Sequence, residues 1–287
     1  MNPIGIYYAF LANSDTVDWH DCLERAARAG ADILEMSAPK LHLASEEERK
    51  SISGHARDLG LSLTMACALR PDADVSSADP SVHRTGIELL KSDVDLAAEM
   101  GAGALGGILT DVSKHFPPGI EYEREQVLEN SIRGLKEAAA HAGACGVTLG
   151  VEVCNRFETP LVNTAAEALR IVNAIDHPAI GVHLDTFHMN IEEADSAKAI
   201  ELAGNRLVHF HVCENNRALP GQGQVPWKKI FTALKTIGYT GRIVIESLPG
   251  PYGTVASRLN IWRKLSEDVD GELKQSIAMI RKEMEEV

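Results

Sequence analysis

Positive charge is scarce in this sequence: 28 lysines and arginines stand against 41 aspartates and glutamates, a net charge of −13 over 287 residues. No run of Lys and Arg is long enough to follow a phosphate backbone, and the adjacent Lys228 and Lys229 are ordinary solvated positions. Nucleic acid is therefore a poor partner. Cysteine is thin as well. Cys22, Cys67, Cys145, Cys154 and Cys213 are odd in number and show no CxxC spacing, which argues against a disulfide framework or a thiolate zinc centre and for a reducing compartment. No apolar stretch approaches the roughly 18 residues that span a bilayer. The opening MNPIGIYYAFLANSD has neither the basic n-region nor the cleavage motif of a signal peptide. Low-complexity and linker-like segments are also missing. The expectation is one soluble, cytoplasmic domain over residues 1–287 with no membrane partner.

What the chain does have is an alternation of short apolar runs with longer amphipathic ones. Strand-like runs lie at Ile4–Phe10, Ile33–Met36, Leu61–Ala68, Ala104–Leu109, Val147–Val153, Ile180–Leu184, Leu207–Val212 and Ile243–Glu246. Between and after them, helical patterns cover Asp18–Ala29, Ser45–Leu59, Pro80–Met100, Glu121–Ala144, Ala165–Ala174, Ala197–Ala203, Trp227–Ile237 and Glu272–Glu285. Gly30, Gly60, Gly101, Gly146 and Gly238 each follow a helical run, as a left-handed C-terminal cap requires. Ser45 to Glu48 fits a capping box, and Asp79-Pro80 places Pro at a first helical position. Strand and helix alternating in this way predict an α/β fold, a closed (β/α)8 TIM barrel, with an open doubly wound sheet as the alternative. Gly101, Gly103 and Gly106 spell GxGxxG, but here the motif follows a helix and runs into a strand, the reverse of a dinucleotide-binding turn.

Four polar residues close or follow four consecutive apolar runs about 30 residues apart: Glu152, Asp185, His211 and Glu246. Each has an ordinary explanation. Glu152 would suit a rim salt bridge with Arg156, Asp185 a helix N-cap, and His211, on one face with His209, a hydrogen-bonded core histidine. Jointly they say more. Residues ending successive parallel strands converge on one rim of a barrel, where three carboxylates and an imidazole need a cation to neutralise them. One imidazole plus carboxylates suits Mn²⁺, with Co²⁺ or Mg²⁺ as the other fits, better than Zn²⁺.

Around those positions NRFET (155–159), LDTFHMNIEE (184–193), HFHVCENNR ending at Arg217, PGQGQVPW ending at Trp227, and GIYYAF near the start together resemble the ketose 3-epimerases, the D-tagatose and D-psicose (allulose) 3-epimerase group of xylose isomerase-like barrels. The resemblance spans essentially the whole chain, with the motifs in family order. It implies one Mn²⁺ or Co²⁺ held by Glu152, Asp185, His211 and Glu246. It also implies that Glu158, His188 and Arg217 grip the O1–O3 end of a free ketose, and that the chain forms a homodimer or homotetramer. Inversion at C3 needs a base on one face of a planar intermediate and an acid on the other, and Glu152 and Glu246 are the expected pair. Tyr7 and Phe116 are candidate walls for the distal end of the sugar.

The chain departs from the family pattern in three places. GGILTDVSKHFPPG replaces an aromatic-rich segment after strand four, Glu246-Ser247-Leu248 replaces Glu-Pro-Phe, and Met65–Cys67 is a variable region. The D-tagatose/D-sorbose or D-fructose/D-psicose type of reaction is the first expectation. A ketopentose (L-ribulose or xylulose) 3-epimerase or an aldose–ketose isomerase on the same barrel is the alternative.

Overall fold

The computed structural model describes residues 2–12, 14–112 and 123–287. Its strands are β1 (Ile4–Tyr7), β2 (Ile33–Ser37), β3 (Ser62–Ala68), β4 (Ala104–Ile108), β5 (Thr148–Glu152), β6 (Ile180–Asp185), β7 (Leu207–Val212) and β8 (Arg242–Ile245). They pair in sequence order into a closed barrel. The ring closes through parallel pairing of β1 with β8, Ile4 opposite Ile243 and Ile6 opposite Ile245, which excludes the open doubly wound sheet.

The helices are α1 (Trp19–Ala29), α2 (Ala38–Leu41), α3 (Glu46–Asp58), α4 (Pro80–Met100), α5 (Arg124–Cys145), α6 (Ala165–Ile175), α7 (Thr186–Glu192), α8 (Ser196–Ala203), α9 (Trp227–Thr236), α10 (Gly253–Arg258) and α11 (Val269–Glu286). The eight expected helices are all present. The caps explain their ends. Asp79 Oδ1 accepts from the backbone N–H groups of Ser81 and Val82 with Pro80 opening α4, and the five expected glycines all have positive φ. Ser45 caps α3 by accepting from Glu48, while the full reciprocal box occurs at Thr164 and Glu167, at the start of α6.

Three short helices and a shortened first strand were not expected. The run through Phe10 leaves β geometry at Tyr8, and Tyr8–Phe10 turn as a 3-10 helix that buries all three side chains. Helix α7 begins directly at the end of β6 because the Asp185 carboxylate accepts from the Phe187 N–H at 2.8 Å. Both α2 and α10 are single-turn pieces too short to carry a periodic pattern.

Apolar side chains such as Ile6, Leu34, Met65, Leu105, Val151, Leu184, Phe210 and Ile245 form the core with the inner helix faces. One side of the barrel interior is polar. Glu35, Thr64, His183, His209 and His211 are all buried, and β4 and β5 are thinned there. A Cβ at Gly106 would sit 3.0 Å from His183 Nδ1, and one at Gly150 would sit 3.1 Å from His183 Cβ. Gly101 thus ends α4, Gly103 lies against Arg242 and Gly106 makes room for a histidine, a passage from helix into strand.

Candidate metal centre and active site

Three of the four strand-end residues lie on β5, β6 and β7; Glu246 follows β8 immediately, its N–H donating to the Val212 carbonyl at 3.1 Å. Glu152, Asp185, His211 and Glu246 each offer a ligand atom within 4.8 Å of the others. His211 Nδ1 lies 3.4 Å from Glu246 Oε2 and 3.8 Å from Glu152 Oε1. The rim salt bridge expected of Glu152 is not made: Arg156 pairs instead with Glu192, Nη2 to Oε2 at 2.8 Å. Asp185 is both things at once. Its Oδ1 caps α7, and its Oδ2 accepts from Arg217 Nη1 at 2.7 Å.

A residue absent from the expectation organises the set. Glu35, on β2 and 1% exposed, accepts from His211 Nε2 at 2.6 Å through Oε1, and from His209 Nε2 and Thr64 Oγ1, both at 2.8 Å, through Oε2. Burial favours the neutral acid, but the two histidines outweigh it and hold this carboxyl well below its usual range. Because Nε2 of His211 is committed as a donor, the lone pair of the neutral ring lies on Nδ1, which is buried, makes no hydrogen bond among the described residues and faces Glu246 Oε2 at 3.4 Å. An orphaned imidazole nitrogen facing three carboxylates fits a divalent cation. The signal for Glu35 was in the sequence: Ile33-Leu34-Glu35 is another carboxylate within an apolar run, on a strand outside the four considered.

Charges are strongly coupled here. Burial and the neighbouring Glu246 push Glu152 up to about 8. Burial would raise Glu246 too, but Arg217 and His211 prevail and hold it far below the usual carboxylate range. Burial lowers the His211 imidazolium, yet Glu35 and Glu246 together lift it well above its ordinary value when no cation is present. Without a cation, two carboxyls of one site are thus driven in opposite directions, Glu152 toward the neutral acid and Glu246 toward the carboxylate.

The expected substrate residues lie around this cluster. His188, on α7, is buried, and its Nδ1 accepts from the Asn155 backbone N–H at 3.1 Å and from Asn155 Nδ2 at 2.8 Å. That fixes the proton on Nε2, since burial and then Arg217 hold the ring well below its usual pKa and keep it neutral. Arg217 Nη2 lies 3.2 Å from that Nε2, so two donors converge and await one acceptor. Arg217 is buried with φ +65°; its Nη1 reaches Glu246 Oε2 at 2.6 Å, and its guanidinium lies 4.1 Å over the Phe187 ring. The Ser247-Leu248 departure holds this loop: Ser247 Oγ donates to the Ala218 carbonyl and Leu248 N–H to the Arg217 carbonyl.

Tyr7 ends β1 beside the cluster, its hydroxyl pushed well up by burial, by Tyr8, and by the charges of Glu246 and Glu35. Glu158 is half-buried in the loop after β5, and with burial and Glu152 it contributes to raising the Cys154 thiol. Phe116 lies outside the described residues, as does most of the segment after β4. A cavity of about 390 Å³ opens beside Arg217, lined by Phe187, Leu259, Ile261, Trp262 and Leu265 among others. Asn155, Phe187 and this last segment were not singled out in the sequence. Among the described residues no helix is long and apolar enough to cross a membrane, and all five cysteines are free.

Comparison with known proteins agrees with this fold. The family model described as xylose isomerase-like TIM barrel matches residues 23–282. The chain is 37% identical over 271 residues to a D-psicose 3-epimerase of Ruminiclostridium cellulolyticum, covering 93% of this chain and 90% of that protein. It is 34% identical over 274 residues to an L-ribulose 3-epimerase of Mesorhizobium japonicum, covering 93% and 89%. Crystal structures of D-psicose 3-epimerase with D-tagatose from Clostridium cellulolyticum H10 superpose with a TM-score of 0.93 at 33% identity, covering 98% of this chain and 99% of that one. The chain belongs to the ketose 3-epimerases, isomerase-class enzymes built on the xylose isomerase-like TIM barrel.

Proposed function

We propose that this protein inverts C3 of a free ketose by removing the C3 proton from one face and returning a proton to the other. The observation that carries the reading is the pair Glu152 and Glu246: two carboxylates three strands apart around the ring that reach one common centre. An aldose–ketose isomerase moves a proton between C1 and C2 on one face and needs only one such base.

Glu152, Asp185, His211 and Glu246 would hold one divalent cation, Mn²⁺ by the chemistry of the donors, with Co²⁺ or Mg²⁺ as the other fits. When bound, such an ion supplies electrophilic polarisation of the sugar oxygens next to C3, which acidifies the C3 proton. The remaining work falls to the chain. Glu246 takes the proton in one direction and Glu152 delivers one from the opposite face; the roles exchange in reverse. His188 Nε2–H and Arg217 Nη2–H point at a common place and would donate to the oxygen on which charge develops. Asn155 holds His188 in the donating tautomer. Glu158 is assigned with His188 and Arg217 to the O1–O3 end of the sugar, and Tyr7 and the cavity beside Arg217 to its distal end.

Relatives of similar identity carry D-psicose, a ketohexose, and L-ribulose, a ketopentose, in their names, so both sugar lengths are candidate substrates. Incubation of metal-loaded protein with fructose, psicose, tagatose, sorbose, ribulose and xylulose, followed by chromatographic product analysis, tests the reading. C3 epimers are the expected products. An aldose as the dominant product would overturn it in favour of the isomerase.

A further inference from the structure

At the other end of the barrel, α4 and α5 carry three side chains of different chemistry at one point. Asp95 on α4 faces His141 and Cys145 on α5, which are four residues apart and so share one helix face. The Asp95 Oδ1 to His141 Nε2 distance is 2.6 Å, and Cys145 Sγ lies 3.7 Å from each of those two atoms. Cys145 ends α5, just before β5 begins at Thr148, whereas Glu152 closes β5; the trio is a strand's length from the candidate active site.

The triangle has nearly the dimensions of one face of a tetrahedral zinc site. With Zn–N and Zn–O near 2.0 Å and Zn–S near 2.3 Å, tetrahedral angles put nitrogen and oxygen roughly 3.3 Å apart and sulfur about 3.5 Å from either. Both sulfur distances already fit within a few tenths of an ångström, and only the imidazole–carboxylate contact has to open. That contact can open cheaply, because Asp95 and His141 are 63% and 32% exposed at their side chains. Elsewhere along the same helix seam Arg84 and Lys91 pair with Glu137, whereas among the described residues the ion-pair partner of Asp95 is His141 and its other contact is the Cys145 thiol. The last turn of α5 adds the negative end of its helix dipole.

From this geometry we infer that Asp95, His141 and Cys145 form a peripheral binding site for a thiophilic divalent ion, Zn²⁺ above all, that ties α4 to α5. The thiolate–imidazole–carboxylate set is softer than the imidazole–carboxylate set of the active site, so the two centres sort different metals. No CxxC spacing announces it, since the ligands come from two helices. On binding, the Cys145 thiol gives its proton to solvent and the ion takes its place between sulfur, nitrogen and oxygen, with water filling the fourth position.

The test uses metal-free full-length protein. Two equivalents of Zn²⁺, enough for both centres, are expected to protect Cys145 from iodoacetamide, read as alkylation of its peptide by mass spectrometry. His141→Ala, at a half-buried position, and Asp95→Asn, at an exposed one, should each abolish the protection. Titration with Co²⁺ should give a thiolate-to-cobalt charge-transfer band that Cys145→Ser removes. Alkylation of Cys145 at the same rate with and without Zn²⁺, protection that survives in His141→Ala, or a cobalt–thiolate band that survives in Cys145→Ser would each overturn the assignment.

Discussion

His211 donates its Nε2–H to Glu35 Oε1 at 2.6 Å, and that bond decides which ring nitrogen faces the three carboxylates. Glu35 serves two histidines at once, one on each oxygen, so no neutral group can replace it fully. In Glu35→Gln one oxygen becomes an NH₂ donor, which forces one of the two rings to turn its lone pair toward the glutamine and its N–H away. When that ring is His211, the N–H points into the site. The expected outcome is a loss of about 10–100-fold in Mn²⁺ affinity with the barrel still folded, measured by metal titration alongside circular dichroism. Unchanged affinity would remove Glu35 from the site.

Loading with a divalent cation should displace protons. In the cation-free protein Glu152 lies at about 8, from burial and Glu246, and His211 well above its usual value, from Glu35 and Glu246 acting against burial. Both must be deprotonated to act as ligands, so at pH 7 about two protons should leave for each ion bound. Affinity should rise with pH through about 8, where Glu152 ionises without help, and go on rising while His211 still has a proton to lose. Calorimetry in two buffers of different ionisation enthalpy measures the number; a value of zero would contradict the assigned ligands.

Arg217 is expected to matter most when the cation is absent. It is 3% exposed and neutralises Asp185 and Glu246 together. Arg217→Ala leaves both carboxylates buried without that partner, at a cost of about 3–5 kcal/mol. A bound divalent ion would take over much of this neutralisation, so Mn²⁺ should recover much of the lost stability. Urea unfolding with and without Mn²⁺ checks this; an equal loss in both conditions would show that Arg217 and the cation do not share the carboxylates.

Asp111, buried after β4, accepts from Thr110 Oγ1 and Thr159 Oγ1, and burial pushes its carboxyl from 3.8 up to about 6. A carboxyl raised in the folded state contributes stability that is complete below the unfolded pKa and lost as pH rises through the folded one. The penalty of ionising Asp111 is thus felt from about pH 4 upward and reaches about 3 kcal/mol above pH 6. Asp111→Asn should flatten the pH dependence of unfolding between 4 and 6 and leave the protein at least as stable at pH 7.5. A variant less stable than the parent at pH 7.5, with the slope unchanged, would contradict it.

The barrel was legible because each strand is short, apolar and followed by a long amphipathic helix, a pattern that survives small errors at the ends. The strand-end ligands were legible for the same reason: a carboxylate within Leu149-Gly150-Val151-Glu152-Val153 stands out. What failed to show depended on contacts distant in sequence or on local turns that the apolar pattern does not distinguish. Glu35 acts through histidines more than 170 residues away, so nothing local distinguishes it from a rim charge. Helix α7 is invisible to periodicity since its start depends on one carboxylate capping one N–H. Tyr8–Phe10 leave the strand although the apolar run continues, because a buried 3-10 turn and a buried strand ask for the same residues. The Asp95, His141 and Cys145 cluster is likewise assembled only by the packing of α4 on α5.

The central claim, two opposed carboxylates acting on C3, is tested most directly by hydrogen exchange in D₂O at matched metal content. Metal-loaded wild type should place deuterium at C3 of both epimers of its sugar. Glu152→Gln and Glu246→Gln should each lose about 10²–10⁴-fold in epimerisation. Each should still exchange C3 of one epimer only, and the two variants should choose opposite epimers, read by proton NMR. Exchange of the same epimer by both variants, or full epimerisation by either, would contradict the two-base account.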